Sequence, residues 1–230
     1  MIGTIVNVGT ITAGTIIGCV VKKGIKQEYQ DALMNAMGLA ATVLGINSVV
    51  QNLPDSEFPV LFILSIAIGS LAGYMIDISG RFQRLTDRFA KPDSGPNLAQ
   101  GLSTAIMLFC IGTLSILGPV QSALYGDHTF LFTNATLDFV TSMVLASVYG
   151  IGILVAAAVL FCWQGSIYLL ASFAAASIPE AMMTELSIVG GILIFSSGLG
   201  ILNIKDLKAI NMLPFLLVPI IWFGVKALMG

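Results

Sequence analysis

The sequence predicts an all-α polytopic membrane protein of about eight transmembrane helices, and three observations carry that prediction. Hydrophobic residues make up 57% of the 230 positions and charged residues only 10%, against roughly 25% charged in a soluble domain. The apolar residues gather into eight runs, most of about the length a helix needs to cross a bilayer. The basic residues fall in alternate connections between those runs, as the positive-inside rule asks. No segment outside the runs is long enough to bury a core of its own, so 1–230 reads as a single transmembrane domain.

The runs are 2–21, 32–51, 58–78, 98–117, 138–160, 163–178, 186–204 and 209–229. The first is free of charge from Ile2 to Val21 and is followed at once by Lys22, Lys23 and Lys26. A cleaved signal peptide carries its positive charge before the apolar core, so this order predicts a retained helix with its N-terminus outside. Gly3, Asn7, Thr10, Gly14 and Gly18 recur at helical spacing and draw a small, polar stripe down one face. Such a stripe is useless against lipid and must meet other helices or a wet cavity.

Gly38 and Gly45 mark a similar face on the second run, and the connection QNLPDSE leads to the third. The next connection carries Arg81, Arg84, Arg88 and Lys91. Its stretch 81–91 reads as an amphipathic helix with Phe82, Leu85 and Phe89 on the apolar side. Such a helix lies in the cytoplasmic interface and holds anionic lipid headgroups; a plain solvated connector is the alternative. Pro92, Gly95 and Pro96 end it.

The uncharged run from Phe139 to Ile178 has to turn once, and Trp163, Gln164 and Gly165 are placed at that turn. A seven-span count is the alternative there. Asp138 is expected to open the fifth span and Glu185 the seventh. Both then serve as interfacial acids at a helix N-terminus, or, if deeper, as a proton or cation site. Gly190, Gly191 and Gly198 permit close helix packing in the seventh span. Asn203 and Asn211 flank the cytoplasmic turn that carries Lys205 and Lys208, and Pro214 lies early in the last helix. In this topology nine of the ten Lys and Arg residues are cytoplasmic, Lys226 is the exception, and the C-terminus is outside.

An internal repeat is also visible. Gly14-Thr15-Ile16 corresponds to Gly165-Ser166-Ile167, Glu28 to Glu180, Gly38 to Gly190, Pro59 to Pro214 and Gly69 to Gly224. Spans 1–3 and 6–8 then form 3+3 inverted repeats around a central helix pair, an arrangement common in secondary transporters.

Other chemistry has little support. The three cysteines, Cys19, Cys110 and Cys162, lack metal-type spacing and are expected to be buried free thiols. There is no HExxH, GxSxG or phosphate-binding GxxxxGK[ST] motif, and His128 is expected to be a solvated loop residue. No basic patch interleaved with aromatics suggests nucleic acid. The chain is not expected to be an enzyme or to carry a cofactor or metal.

GTIVN at 3–7, FCIG at 109–112, LD at 137–138, QGS at 164–166, GG at 190–191 and NMLP at 211–214 occur in order. In these the chain resembles a bacterial family of small multipass inner-membrane proteins of unknown function, the YqgA/YdfK-like group. The likeness covers nearly the full length; one departure is FCIGTLSILG where the family pattern runs FCIGAMAIVG. The resemblance implies a bacterial inner-membrane protein and supplies no activity. Its motif positions here are Asn7, Asp138, Gln164, Gly190, Gly191 and Asn211.

The residues favour a secondary transporter or ion-coupled permease for a small solute or ion. Asn7, Thr10, Asp138, Gln164, Glu185, Asn203 and Asn211 would line its path, and Gly14, Gly18, Gly190, Gly191 and Gly198 would pack its helices. The alternatives are a channel or pore-forming homo-oligomer built through those same faces, and a non-transporting membrane partner or sensor docked through the basic segment.

Overall fold

The computed structural model describes residues 1–21, 26–81, 84, 96–174 and 178–229. In chain order its α-helices are α1 (Ile2–Val20), α2 (Gln27–Asn52), α3 (Leu61–Ile76), α4 (Pro96–Ile111), α5 (Thr113–Leu124), α6 (Thr129–Tyr149), α7 (Leu154–Ala174), α8 (Glu180–Ile201) and α9 (Leu217–Met229). Short 3₁₀ turns cover Leu53–Asp55 and Ile151–Ile153, and a longer one covers Ala209–Leu216. No strand occurs among the described residues.

Eight stretches are long and apolar enough to cross a membrane. They are Ile2–Val20, Met34–Asp55, Leu61–Arg81, Thr104–Leu124, Thr129–Tyr149, Ile151–Ala174, Glu180–Ile201 and Ala209–Met229. Several are not α-helical throughout, and two of these departures lie close to buried polar residues. Thr104–Leu124 contains the break at Gly112 between α4 and α5, and Ala209–Met229 begins as 3₁₀ around Pro214.

The fifth and sixth boundaries differ from the expected 138–160 and 163–178. The chain turns at Gly150, whose φ of 80° and ψ of −166° suit glycine and strain other residues. Trp163–Gly165 instead lies inside α7, with the Ser166 hydroxyl bonding back to the Trp163 carbonyl. At the other end, Asp127 starts α6 early by accepting the Thr129 N–H at 2.9 Å. The seventh span likewise starts early, with Pro179 in extended backbone as the N-cap of α8. Neither Asp138 nor Glu185 therefore opens its helix. Most of the basic segment 81–91, including Arg88 and Lys91, lies outside the described residues, as do Lys22 and Lys23; Arg81 and Arg84 are helical and exposed.

The helices gather into two compact units: residues 1–37 with 81–176, and residues 38–80 with 177–230. In the first, α1 and α6 run parallel and in close contact. Gly3 sits against Leu131, Gly14 against Phe139 and Ser142, and Gly18 against Met143 and Ala146. The lipid offers apolar groups as good solvation as a neighbouring helix does, so close backbone approach and hydrogen bonds must hold such helices together. Glycine permits that approach: a Cβ on Gly14 or Gly18 would overlap the carbonyl oxygen of Phe139 or Met143. Beside this seam Ile11, Phe109, Cys110, Ala146, Ile153, Ala156 and Leu160 form an apolar core. Cys110 is buried, but Cys19 is only half-buried and Cys162 is exposed on α7, contrary to the expectation of three buried thiols.

In the second unit α2 and α8 run antiparallel. Gly45 meets the Gly191 carbonyl and Phe195, and Gly198 meets Thr42 and the Gly38 carbonyl. The Ser48 hydroxyl donates to the Ser187 carbonyl at 2.9 Å. The last span lies antiparallel to α3 along its length. Gly73 faces the Asn211 carbonyl and Gly69 faces Phe215, while at the other end Lys226 bonds Glu57 at 3.1 Å and stands 4.9 Å from the Phe58 ring centre.

Candidate functional site

A buried polar cluster in the first unit is built around Asp138, near the middle of α6 and 4% exposed. Asn7, fully buried on α1, donates Nδ2–H to Asp138 Oδ2 at 2.9 Å. Asn134 donates to the same oxygen at 2.8 Å from one turn earlier in α6. The parallel packing of α1 on α6 is what brings Asn7 level with the acid. A carboxyl group in this place is expensive unless its oxygens are hydrogen-bonded, and its two partners among the described residues are neutral amides.

A helix break lies beside the cluster. Gly112 leaves helical geometry at ψ 138°, and a Cβ there would stand 3.9 Å from Asn134 Oδ1. The Ser115 N–H caps the break on the Gly112 carbonyl at 2.9 Å. One turn on, Pro119 has no N–H to offer the carbonyl of Ser115. The Ser115 carbonyl thus lacks its helical partner, beside the Gly112 break and inside a membrane-spanning stretch. Gln164 of α7, fully buried, donates to Ser115 Oγ at 3.0 Å. Three elements, α1, α6 and α7, so present amide or carboxyl side chains around a broken fourth.

Three buried oxygens in this region, Asn7 Oδ1, Gln164 Oε1 and Thr4 Oγ1, are left without a hydrogen-bond partner among the described residues. Thr4 and Asn7 are three apart on the buried face of α1, so their side chains are neighbours. Among the described residues no group of three His, Cys, Asp or Glu side chains forms a metal-type cluster.

The other residues singled out from the sequence lie elsewhere. Thr10 is half-buried and spends its hydroxyl on the Asn7 carbonyl at 2.8 Å. Glu185 is fully buried inside α8, in the second unit. Its Oε1 accepts the Ser56 hydroxyl at 2.5 Å and the Phe58 N–H at 3.1 Å, which fastens the non-helical chain ahead of α3. Its Oε2 is buried without a partner. Asn211, 2% exposed, accepts the Ser79 N–H at 2.8 Å through Oδ1 and so ties the last span to the end of α3. Asn203 is exposed just past α8, with φ 55°, where asparagine tolerates the left-handed backbone that ends a helix. There it ends the helix, with its N–H on the Gly200 carbonyl at 3.0 Å. Gly190 is buried in α8 with Gly191 and Gly198, which contact α2.

Sequence reading passed over Asn134, Ser115 and Ser56. Asn134 was detectable, because it precedes Asp138 by four residues and shares its helix face. Ser115 and Ser56 carried no local signal, since their roles come from contacts with residues far along the chain.

The chain matches the family described as "Protein of unknown function (DUF554)" over residues 2–224. It belongs to the DUF554 family. The "Uncharacterized membrane protein YdfK" of Bacillus subtilis (strain 168) is 58% identical over 95% of this chain and 94% of its own length. The "Uncharacterized protein YqgA" of Escherichia coli (strain K12) is 27% identical over 94% of each chain. No solved structure matches. The family description names no activity, which leaves the function to be argued from the site.

Proposed function

We propose that this DUF554 protein is a secondary transporter or ion-coupled permease for a small solute or ion, and that its path runs past Asp138. The observation that carries the reading is a carboxyl group at mid-span, held by the amides of Asn7 and Asn134 beside a broken helix. Ionisable groups inside a membrane are expensive and mark transport paths. Discontinuous helices supply the backbone groups that bind ions and solutes in transporters. An adhesive or purely structural membrane protein has no need of both at one point.

Two further features support the reading. The antiparallel pairs α2 with α8, and α3 with the last span, are the pairs that inverted 3+3 repeats would produce. Each repeat also has a proline-containing non-helical stretch ahead of its third helix, at Pro59 and Pro214. The reading puts the protein in the bacterial inner membrane with both termini outside; the exposed Arg81 and Arg84 would then face anionic lipid on the cytoplasmic side, as the positive-inside rule asks.

Reconstitution on a solid-supported membrane separates a carrier from a pore. Rapid exchange across a panel of ions and small metabolites is expected to evoke currents that saturate with the concentration of one of them. Unitary channel currents, or no response to any member of the panel, would contradict the carrier reading.

A further inference from the structure

We propose that the Asp138 cluster binds a sodium ion, with the Asp138 carboxylate and Asn7 Oδ1 as its central protein ligands. The proposal rests on the transport reading above and names the coupling ion for it.

The first argument is the set of buried oxygens left without partners among the described residues. Asn7 uses its N–H on Asp138 and leaves Oδ1 buried and unpartnered, on a side chain with no exposed surface. Thr4 Oγ1, on the same face of α1, and Gln164 Oε1, on α7, are in the same condition. Each such atom costs stability in an apolar surrounding. A proton on Asp138 would satisfy only the carboxyl group. A metal cation engages several oxygens at once, and so answers for the carboxylate and its neutral neighbours together.

The second argument is charge. Hard cations take oxygen ligands, and divalent ones are commonly held by several carboxylates. Asp138 brings one, and the side chains bonded to it among the described residues are the uncharged Asn7 and Asn134. One carboxylate with one monovalent cation is neutral, and a neutral site costs less within the bilayer than a charged one. Loading would then let the helices around Gly112 move without carrying a bare charge through the membrane.

The third argument is the break itself. Gly112 lies against Asn134, and three residues on from it the Ser115 carbonyl is denied its helical N–H partner by Pro119. Carbonyls at unwound points in a span coordinate sodium in transporters. These groups come from α1, α6 and the α4–α5 break, so a bound ion would bridge three elements.

The test uses the full chain in nanodiscs, with sodium chloride titrated against choline chloride at constant ionic strength. Thermal unfolding and binding of radioactive sodium are read in parallel. A ligand of the folded state raises the unfolding temperature by mass action, so sodium is expected to stabilise the protein saturably, with potassium inert over the same range. Asp138→Asn and Asn7→Leu are expected to lose both the stabilisation and the bound radioactivity, whereas Lys226→Ala retains both. Absence of saturable sodium binding by the unaltered protein, or an equal response to potassium and choline, overturns the proposal, and this arm needs no variant to fold. Proton-coupled flux without sodium binding would overturn the sodium site and leave the transport reading. Sodium binding without flux of any solute would do the reverse.

Discussion

Asn7 and Asp138, 131 positions apart in the chain, meet in a buried hydrogen bond of 2.9 Å between α1 and α6. That bond does two jobs at once: it fixes the register of two parallel helices and gives a mid-membrane carboxyl group a neutral partner. Side-chain hydrogen bonds between transmembrane helices contribute about 0.6 kcal/mol on average and about 1.7 at most. A double-mutant cycle with Asn7→Ala and Asp138→Ala, read by reversible unfolding in detergent, is expected to give a coupling near the upper end of that range. The expectation follows from burial and from the second amide on the same oxygen. A coupling of zero would mean that the two side chains do not meet in the folded protein.

The α1–α6 seam makes a sharper test within a single helix. A Cβ on Gly14 would strike the Phe139 carbonyl and the Ser142 hydroxyl, whereas a Cβ on Gly9 has nothing within 4 Å. Gly14→Ala is therefore expected to destabilise by about 1–3 kcal/mol through overpacking. Gly9→Ala is expected to be neutral or to stabilise by up to about 1 kcal/mol, through higher helix propensity. Thermal unfolding of the two variants side by side distinguishes a packed seam from a lipid-facing helix.

Glu185 fastens the chain ahead of α3 through Ser56 and Phe58. Glu185→Leu removes the acceptor and is expected to cost about 1–3 kcal/mol, with faster amide hydrogen exchange at residues 56–61. Glu185→Gln keeps an Oε1 acceptor and is expected to cost less. Equal exchange in both variants and the unaltered protein would show that this carboxyl does not hold the segment.

Orientation is open to a direct chemical measurement. Single cysteines at Asp127 and at Asp206, in a background without Cys19, Cys110 and Cys162, are expected to label from opposite sides with a membrane-impermeant maleimide. The basic loop holding Lys205 and Lys208 should be reached only after permeabilisation of the inner membrane. Labelling of both positions from one side would break the eight-span topology.

The fold was legible in the sequence where the physics is local. Hydrophobic run length counts the spans, and the recurrence of Gly3, Asn7, Gly14 and Gly18 on one face requires only helical geometry. The boundaries between the fifth and sixth spans were not legible, because the turn depends on one glycine, Gly150, with positive φ and no charge beside it. Trp163-Gln164-Gly165 looked more like an interface and was continuous helix. That slip moved Asp138 from mid-helix to a helix start, which disguised the most informative acid in the chain. Asn134 stood one turn away as the correcting signal. The Gly112 break was hidden too, since a glycine in an apolar run reads equally well as a packing contact.

The central claim is that the path for solute or ion runs past Asp138. Flux into proteoliposomes, for whichever substrate the panel identifies, tests it most directly with the unaltered protein, Asp138→Asn and Asp138→Glu compared at equal, verified incorporation. The expected result is saturable uptake by the unaltered protein, none by Asp138→Asn, and weakened uptake by Asp138→Glu, whose carboxylate is retained but displaced. Uptake by a folded Asp138→Asn variant equal to that of the unaltered protein would contradict the account.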